Sequence, residues 1–150
     1  MADSLEFIAI PKEFGNVKAR NDATFSIKKG EFFSLLGPSG CGKTSLLRIV
    51  AGFERPTKGK ILLDGEDITH IPPNKRPVNT VFQNYALFPH LSIWDNIAFG
   101  LRVAKRSQKE IEFEVDRMLH LIQLTELAHK MPDQISGGQK QRVAIARALI

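Results

Sequence analysis

The first apolar positions, between Phe7 and Ile27, come in short stretches broken by Pro11, Gly15 and the Asn21-Asp22 pair. Brief apolar segments separated by turn residues read as short antiparallel strands. After a Lys28-Lys29-Gly30 turn, Glu31-Phe32-Phe33-Ser34-Leu35-Leu36 is a nearly continuous apolar run, the pattern of a buried strand. It stops abruptly at Gly37-Pro38-Ser39-Gly40-Cys41-Gly42. From Lys43 to Ala51 there is neither Gly nor Pro, and Leu46, Leu47 and Val50 recur at helical spacing until Gly52, which predicts a helix. The order is therefore strand, glycine loop, helix. Ile61-Leu62-Leu63 running into Asp64-Gly65 predicts a further strand and turn, and after the Pro72-Pro73 loop the stretch Val78 to Gln83 predicts another strand.

Helical signals dominate the remainder. Ser92-Ile93-Trp94-Asp95 and Ser107-Gln108-Lys109-Glu110 have the spacing of capping boxes, in which a hydroxyl and an acid satisfy each other's backbone donors. Ile111, Val115, Met118, Leu119 and Ile122 then fall on one face and read as a core stripe. Thr125 is placed to cap a short further helix that Pro132 interrupts, and Ser136-Gly137-Gly138 opens a last helical stretch still running at Ile150. No internal repeat or low-complexity segment is present.

Composition narrows the class. The chain has 150 residues, 43% of them hydrophobic and 25% charged, ordinary values for one globular domain. No apolar run approaches the roughly 20 residues of a membrane span, and MADSLEFIAIPKEFG lacks the basic start and apolar core of a secretory signal. Neither secretion nor self-insertion is expected. A lone Cys41 cannot form an internal disulfide, and His70, His90, His120 and His129 show no zinc-ligand spacing. The expected compartment is the cytoplasm. A net charge of +5 would suit a polyanion. The cations nevertheless come as scattered pairs, Lys28-Lys29, Lys75-Arg76 and Lys105-Arg106, which read as solvated surface, so no nucleic-acid partner is expected.

The candidate chemistry begins at Gly37-Pro38-Ser39-Gly40-Cys41-Gly42-Lys43-Thr44, a GxxxxGK[ST] loop between a predicted strand and a predicted helix. Small residues there let consecutive N–H groups converge on phosphate oxygens at the positive end of a helix. Lys43 then reaches the β- and γ-phosphates, and the Thr44 hydroxyl is placed for Mg²⁺. Cys41 within the loop reads either as a small filler or as a thiol able to report on the nucleotide. A phosphate loop alone leaves kinases, GTPases, helicases and transport ATPases open. The second motif is Ile135-Ser136-Gly137-Gly138-Gln139-Lys140-Gln141-Arg142. Two glycines cost roughly 1 kcal/mol each in a helix relative to alanine, so their place at its start reads either as a simple cap or as an anion site closely approached from outside.

Taken together, these motifs resemble the nucleotide-binding domain of ATP-binding cassette (ABC) transporters. Phosphate loop, Val81-Phe82-Gln83 and Ser136-Gly137-Gly138-Gln139 stand in that family's order, and the resemblance runs from about Leu5 to Ile150. Arg76 to His90, the following Leu91 to Leu101, and Phe32 to Thr44 narrow it to import ATPases that energise spermidine/putrescine uptake, with relatives serving ferric iron, sulfate and sugars. The resemblance implies ATP and Mg²⁺ as ligands, with Phe14, Gly37, Pro38, Ser39, Gly40, Cys41, Gly42, Lys43, Thr44, Ser45, Gln83, Ser136, Gly137, Gly138 and Gln139 at the nucleotide. Thr44 and Gln83 would serve the metal, Gln83 would also touch the attacking water, and Phe14 would stack on adenine. It further implies a second such domain stacked head to tail, transmembrane permease subunits received at about Tyr85 to Asn96, a substrate-binding protein acting indirectly, and a peripheral place on the cytoplasmic face of the membrane. As bare residues, Phe14, Tyr85, Phe88 and Trp94 read equally as core.

Departures are small, with Ile135 in place of the usual Leu and Thr44-Ser45 inverting a common pair. Ile61-Leu62-Leu63-Asp64 mimics a strand ending in an acid, but it precedes the signature and Asp64-Gly65 is a turn. Family members continue beyond the signature helix into the Walker B strand, ending in Asp-Glu, and then to a switch histidine. Residues 1–150 contain neither. The expected architecture is an α/β P-loop core with antiparallel β and inserted helical portions, incomplete at its C-terminal side. Its expected division is about 1–88 for the β and phosphate-loop part, 89–135 for the helical subdomain and 136–150 for the signature helix. Such a chain is expected to expose apolar surface, to be marginally stable and to hydrolyse no ATP alone. The alternatives are a non-hydrolysing nucleotide-binding fragment acting as a decoy, and a soluble ABC protein of repair or translation.

Overall fold

The structure is a computed structural model that describes residues 3–10, 13–14, 17–18 and 23–150, with side chains described for 4–10 and 24–150. Two compact units are present, Met1–Val78 and Asn79–Ile150.

In the first unit the strands are β1 (Asp3–Ile10), β2 (Glu13–Phe14), β3 (Val17–Lys18), β4 (Ala23–Lys28), β5 (Lys60–Leu63) and β6 (Glu66–Asp67), with helix α1 (Lys43–Val50) between β4 and β5. β1 pairs antiparallel with β4 on one side and β5 on the other, and the sheet order is β4-β1-β5-β6. This is the antiparallel portion expected from the turn-rich start, although the Asn21-Asp22 turn itself lies outside the described residues. Phe7, Ile10, Ile49, Ile61 and Ile68 form the core, so one face of the sheet packs on α1. Phe7 and Phe25 stack with ring centroids 4.4 Å apart. The β5–β6 hairpin turns through Asp64 and Gly65, both at positive φ (48° and 83°), as a two-residue Asp-Gly hairpin requires.

Two predicted strands do not form. Neither Glu31–Leu36 nor Val78–Gln83 is assigned to a strand, and Phe32 and Leu36 are each 94% exposed. The apolar pattern reports that a segment suits burial on both faces; it does not supply the neighbouring strands that complete its ladder. Among the described residues no strand pairs with either segment.

A buried cation fixes the far end of α1. Arg76 is 8% exposed, and its guanidinium donates to the carbonyls of Ile49, Val50, Thr69 and Ile71 at 2.7–3.1 Å. Those of Ile49 and Val50 belong to the last turn of the helix, where carbonyls lack intrahelical partners. Gly52 leaves room for it, since a Cβ there would lie 2.7 Å from Arg76 Nε.

The second unit is helical, with α2 (Ile93–Val103), α3 (Gln108–Leu121) and α4 (Gly137–Leu149). Ile111, Val115, Met118, Leu119 and Ile122 are all buried, as the stripe predicted, against Ile93, Ile97, Val143 and Ala146. Ser107 and Glu110 form a full capping box. Ser92 caps α2 by accepting from Asp95 N–H, but the reciprocal half differs: the shorter Asp95 carboxylate accepts from the Ser92 hydroxyl and from Arg102. The Ser92 hydroxyl, aided by Arg102, holds the Asp95 carboxyl below its ordinary range despite partial burial. Thr125 does not cap a helix. It is the first residue of a three-residue 3-10 turn, Thr125–Leu127, followed by a second at Pro132–Gln134.

Candidate functional site

The glycine loop ends at the N-terminus of α1. Gly40 and Gly42 sit at φ 81° and 85°, left-handed values that favour glycine. Gly42 is the N-cap of α1 and offers no side chain to its orphan donors. Among the described residues, the N–H groups of Gly40, Gly42, Lys43, Thr44 and Ser45 take no acceptor, and the first one bonded again is Leu46, which donates to Gly42 at 3.0 Å. A run of unpartnered amides at a helix start is an anion cradle. Pro38 and Ser39 are exposed beside it, as is Thr44, whose hydroxyl has no partner among the described residues.

Lys43 folds back over the loop. Its Nζ donates to the carbonyls of Gly37 and Pro38, each at 2.7 Å, and lies 3.2 Å from Cys41 Sγ. Cys41 in turn packs on Gly37, where a Cβ would lie 2.7 Å from the sulfur. The hydrogen bond from Lys43 holds the Cys41 thiol below its ordinary value, with desolvation opposing. A lowered thiol pKa means more thiolate at neutral pH, and thiolate is the alkylating form. Iodoacetamide is therefore expected to modify Cys41 with a pH midpoint below that of a free cysteine, and Lys43→Met to raise the midpoint. Nucleotide, by drawing Lys43 away and covering the loop, is expected to slow the reaction. Mass spectrometry of the alkylated chain reads all three.

The second unit carries the other motifs. Gln83 is exposed in a turn spanned by Tyr85 N–H donating to Phe82 at 2.9 Å. Ser136 caps α4 as predicted, and Gln139 completes a capping box with its Oε1 on Ser136 N–H. Gly137 and Gly138 have no N–H acceptor among the described residues. A Cβ on Gly138 would meet nothing within 4 Å, and one on Gly137 only Tyr85 Oη at 3.8 Å. Packing among the described residues therefore does not require either glycine. Phe14 lies in β2, with its side chain outside the described residues.

Three polar residues around these motifs escaped the sequence reading. Asn96, fully buried, accepts from Phe88 N–H and donates to the carbonyls of Phe88, Leu91 and Ser92. Arg147 donates to the carbonyls of Tyr85 and Ala86, and Asn79 to that of Ala148. The available signal was a polar residue on an apolar helix stripe: Asn96 beside Ile93 and Ile97, Arg147 within Val143–Ile150.

Comparison with known proteins decides the family. The family described as ABC transporter matches residues 20–150. The chain belongs to the ABC transporter family. Among curated ABC relatives, a spermidine/putrescine import ATP-binding protein of Protochlamydia amoebophila is 69% identical over the whole chain, and one of Thermotoga maritima is 59% identical over 93% of it. The chain spans 40% and 38% of the length of these two relatives. A solved ATP-binding cassette, a dimer in a post-hydrolysis state bound to ADP and Pi, matches with TM-score 0.83 and 31% identity, covering 97% of this chain and 68% of that one. The fold is accordingly that of an ABC nucleotide-binding domain, with antiparallel strands and helices as expected. The loop fits what such a cassette holds, because amide donors, one ammonium and one free hydroxyl suit a Mg²⁺-bound polyphosphate. Among the described residues no cluster of three His, Cys, Asp or Glu side chains is placed to hold a metal by itself, so Thr44 would hold Mg²⁺ in company with phosphate oxygens and water. No helix among the described residues is long and apolar enough to cross a membrane.

Proposed function

We propose that the chain is the nucleotide-binding portion of an importer ATPase that couples ATP binding and hydrolysis to uptake of a small cationic solute, a polyamine of the spermidine/putrescine class. The observation that carries this reading is the set of unpartnered amides of Gly40 and of Gly42 to Ser45 beside the Lys43 ammonium. Gly37 and Pro38 release Lys43 to the β- and γ-phosphates, Ser39 and Cys41 line the loop, and Thr44 would serve Mg²⁺, as would Gln83 by the family resemblance. Mg²⁺ bound there would supply positive charge that offsets the charge of the phosphates. Phe14 stacks on adenine. Ser136, Gly137, Gly138 and Gln139 of one copy cover the γ-phosphate held by the other in a head-to-tail pair. The free amides of both glycines support this role, as does the open space over Gly138.

Permease subunits dock at about Tyr85 to Asn96, and the substrate-binding protein acts through them. A cavity of about 410 Å³ beside this segment, lined by Phe82, Ala86, Phe88, Phe99 and Arg147 among others, supports a docking role. The working place is the cytoplasmic face of the membrane. In this reading residues 1–88 form the β and phosphate-loop part, 89–135 the helical subdomain and 136–150 the signature helix. No Asp or Glu follows Gln139 within residues 1–150, so these residues supply binding and closure rather than the acid that polarises water.

Transport tests the reading. In cells lacking their own polyamine-importer ATPase, a whole importer ATPase with residues 1–150 as its nucleotide-binding portion, expressed with its permease and binding protein, is expected to restore labelled putrescine or spermidine uptake, and Lys43→Met to abolish it. Restored uptake of ferric iron, sulfate or a sugar without polyamine uptake would overturn the substrate. Uptake insensitive to Lys43→Met would overturn the mechanism.

A further inference from the structure

Arg147, in the last turn of α4, binds backbone rather than an acid. Its Nη1 donates to Ala86 O at 2.8 Å and its Nη2 to Tyr85 O at 3.2 Å, while the guanidinium sits 5.3 Å from the centre of the Phe88 ring. No carboxylate pairs with it among the described residues, and burial pushes its pKa down. A partly buried cation without a counter-ion is costly, so its bonds must have a use beyond filling space. The two carbonyls it holds belong to unusual backbone. Tyr85 and Ala86 lie at φ 63° and 46°, a conformation that crowds Cβ against the following carbonyl in any residue but glycine. Two such residues in succession persist only where surrounding contacts determine them.

The same turn reaches from the last turn of the helix toward its first. Tyr85 is bonded through its carbonyl to Arg147 in the last turn of α4, while its phenol oxygen lies 3.8 Å from where a Cβ on Gly137, the first residue of α4, would stand. Three residues after Tyr85, both backbone groups of Phe88 are bonded by buried Asn96 of α2, and the Phe88 ring lies 4.6 Å from that of Phe99. The planar fork of arginine presents Nη1 and Nη2 to the two carbonyls in a fixed geometry, whereas an ammonium is a point charge on a flexible stem.

We propose that Arg147 is a positioning residue that latches the Gln83–Phe88 segment along the signature helix, keeping Gln83 and the Ser136–Gly138 corner in one mutual arrangement. The proposal rests on the nucleotide-site reading given above and names a residue which that reading does not use. Losing the latch leaves the phosphate loop, in the unit Met1–Val78, intact. It impairs the step in which Gln83 serves the nucleotide of its own copy while Ser136–Gly138 closes over that of the other.

The test compares Arg147→Lys and Arg147→Met with wild type in the full chain. Amide hydrogen exchange over residues 82–88 is expected to speed up at least tenfold in Arg147→Met and by an intermediate amount in Arg147→Lys, with exchange in α3 unchanged. The dissociation constant for a fluorescent ATP analogue is expected to stay within about twofold. ATP-dependent self-association, measured by sedimentation and normalised to the nucleotide-binding fraction, is expected to fall at least tenfold in Arg147→Met. A general packing role would instead lower binding and association together, with exchange faster in α3 as well, and would overturn the proposal. Unchanged exchange over 82–88 would also overturn it. Failure of the wild-type chain to bind nucleotide would sink the nucleotide-site reading alone, and the exchange result would then decide the latch by itself.

Discussion

Lys43→Met is expected to weaken nucleotide binding by about 100-fold while leaving stability within about 0.5 kcal/mol of wild type. The asymmetry follows from what Lys43 touches. Its acceptors in this structure, the carbonyls of Gly37 and Pro38, are exposed and can bond water when the ammonium is gone. A polyphosphate carries several negative charges, and a charge-assisted hydrogen bond to it is worth roughly twice a neutral one. Isothermal titration with Mg-ATP measures the first effect and urea unfolding the second. Equal loss in both would mean that Lys43 acts by holding the loop's shape.

The largest effect on folding is expected at Arg76. Arg76→Met removes the donor from four carbonyls, those of Ile49, Val50, Thr69 and Ile71, in a site that is nearly closed to water. Ile49 O keeps the Gly52 N–H as a donor; buried acceptors left without one cost about 1–3 kcal/mol each before relaxation, so a loss of about 3–5 kcal/mol is expected. Arg76→Lys is expected to recover only part of it, because one ammonium cannot match a fork that spans four carbonyls. Arg48 supplies the contrast: its pairing with Glu54 at 3.6 Å is exposed on both sides, and Arg48→Met is expected to cost less than about 0.5 kcal/mol. Urea midpoints of the three variants check the ranking. An Arg76→Met midpoint equal to that of Arg48→Met would show that water satisfies those carbonyls.

Local signals in the sequence led to local structure. The Asp64-Gly65 turn, the Ser107–Glu110 box, the α3 stripe and the Ser136 cap each depend on residues within one or two turns of each other, and each is present. Glu31–Leu36 and Val78–Gln83 depended on neighbours far along the chain, which an apolar run does not specify. Arg76 was unreadable for a related reason. It stands among 21 basic residues, and only the approach of α1 and the 69–71 turn shows that it is enclosed. At the candidate site, residue types and spacing located the phosphate loop and the signature. The folding back of Lys43 onto Gly37 and Pro38, and the Arg147 bonds to a left-handed turn, required coordinates.

The central claim is that the amides from Gly40 to Ser45, with Lys43, hold the phosphates of a nucleotide. The direct measurement is titration of the ¹⁵N-labelled chain with Mg-ATP, followed by amide chemical shifts. Saturable shifts concentrated at Gly37–Ser45, absent with adenosine and abolished by Lys43→Met, are the predicted result. Saturation with shifts elsewhere and none in the loop, or no saturation at all, would contradict the account.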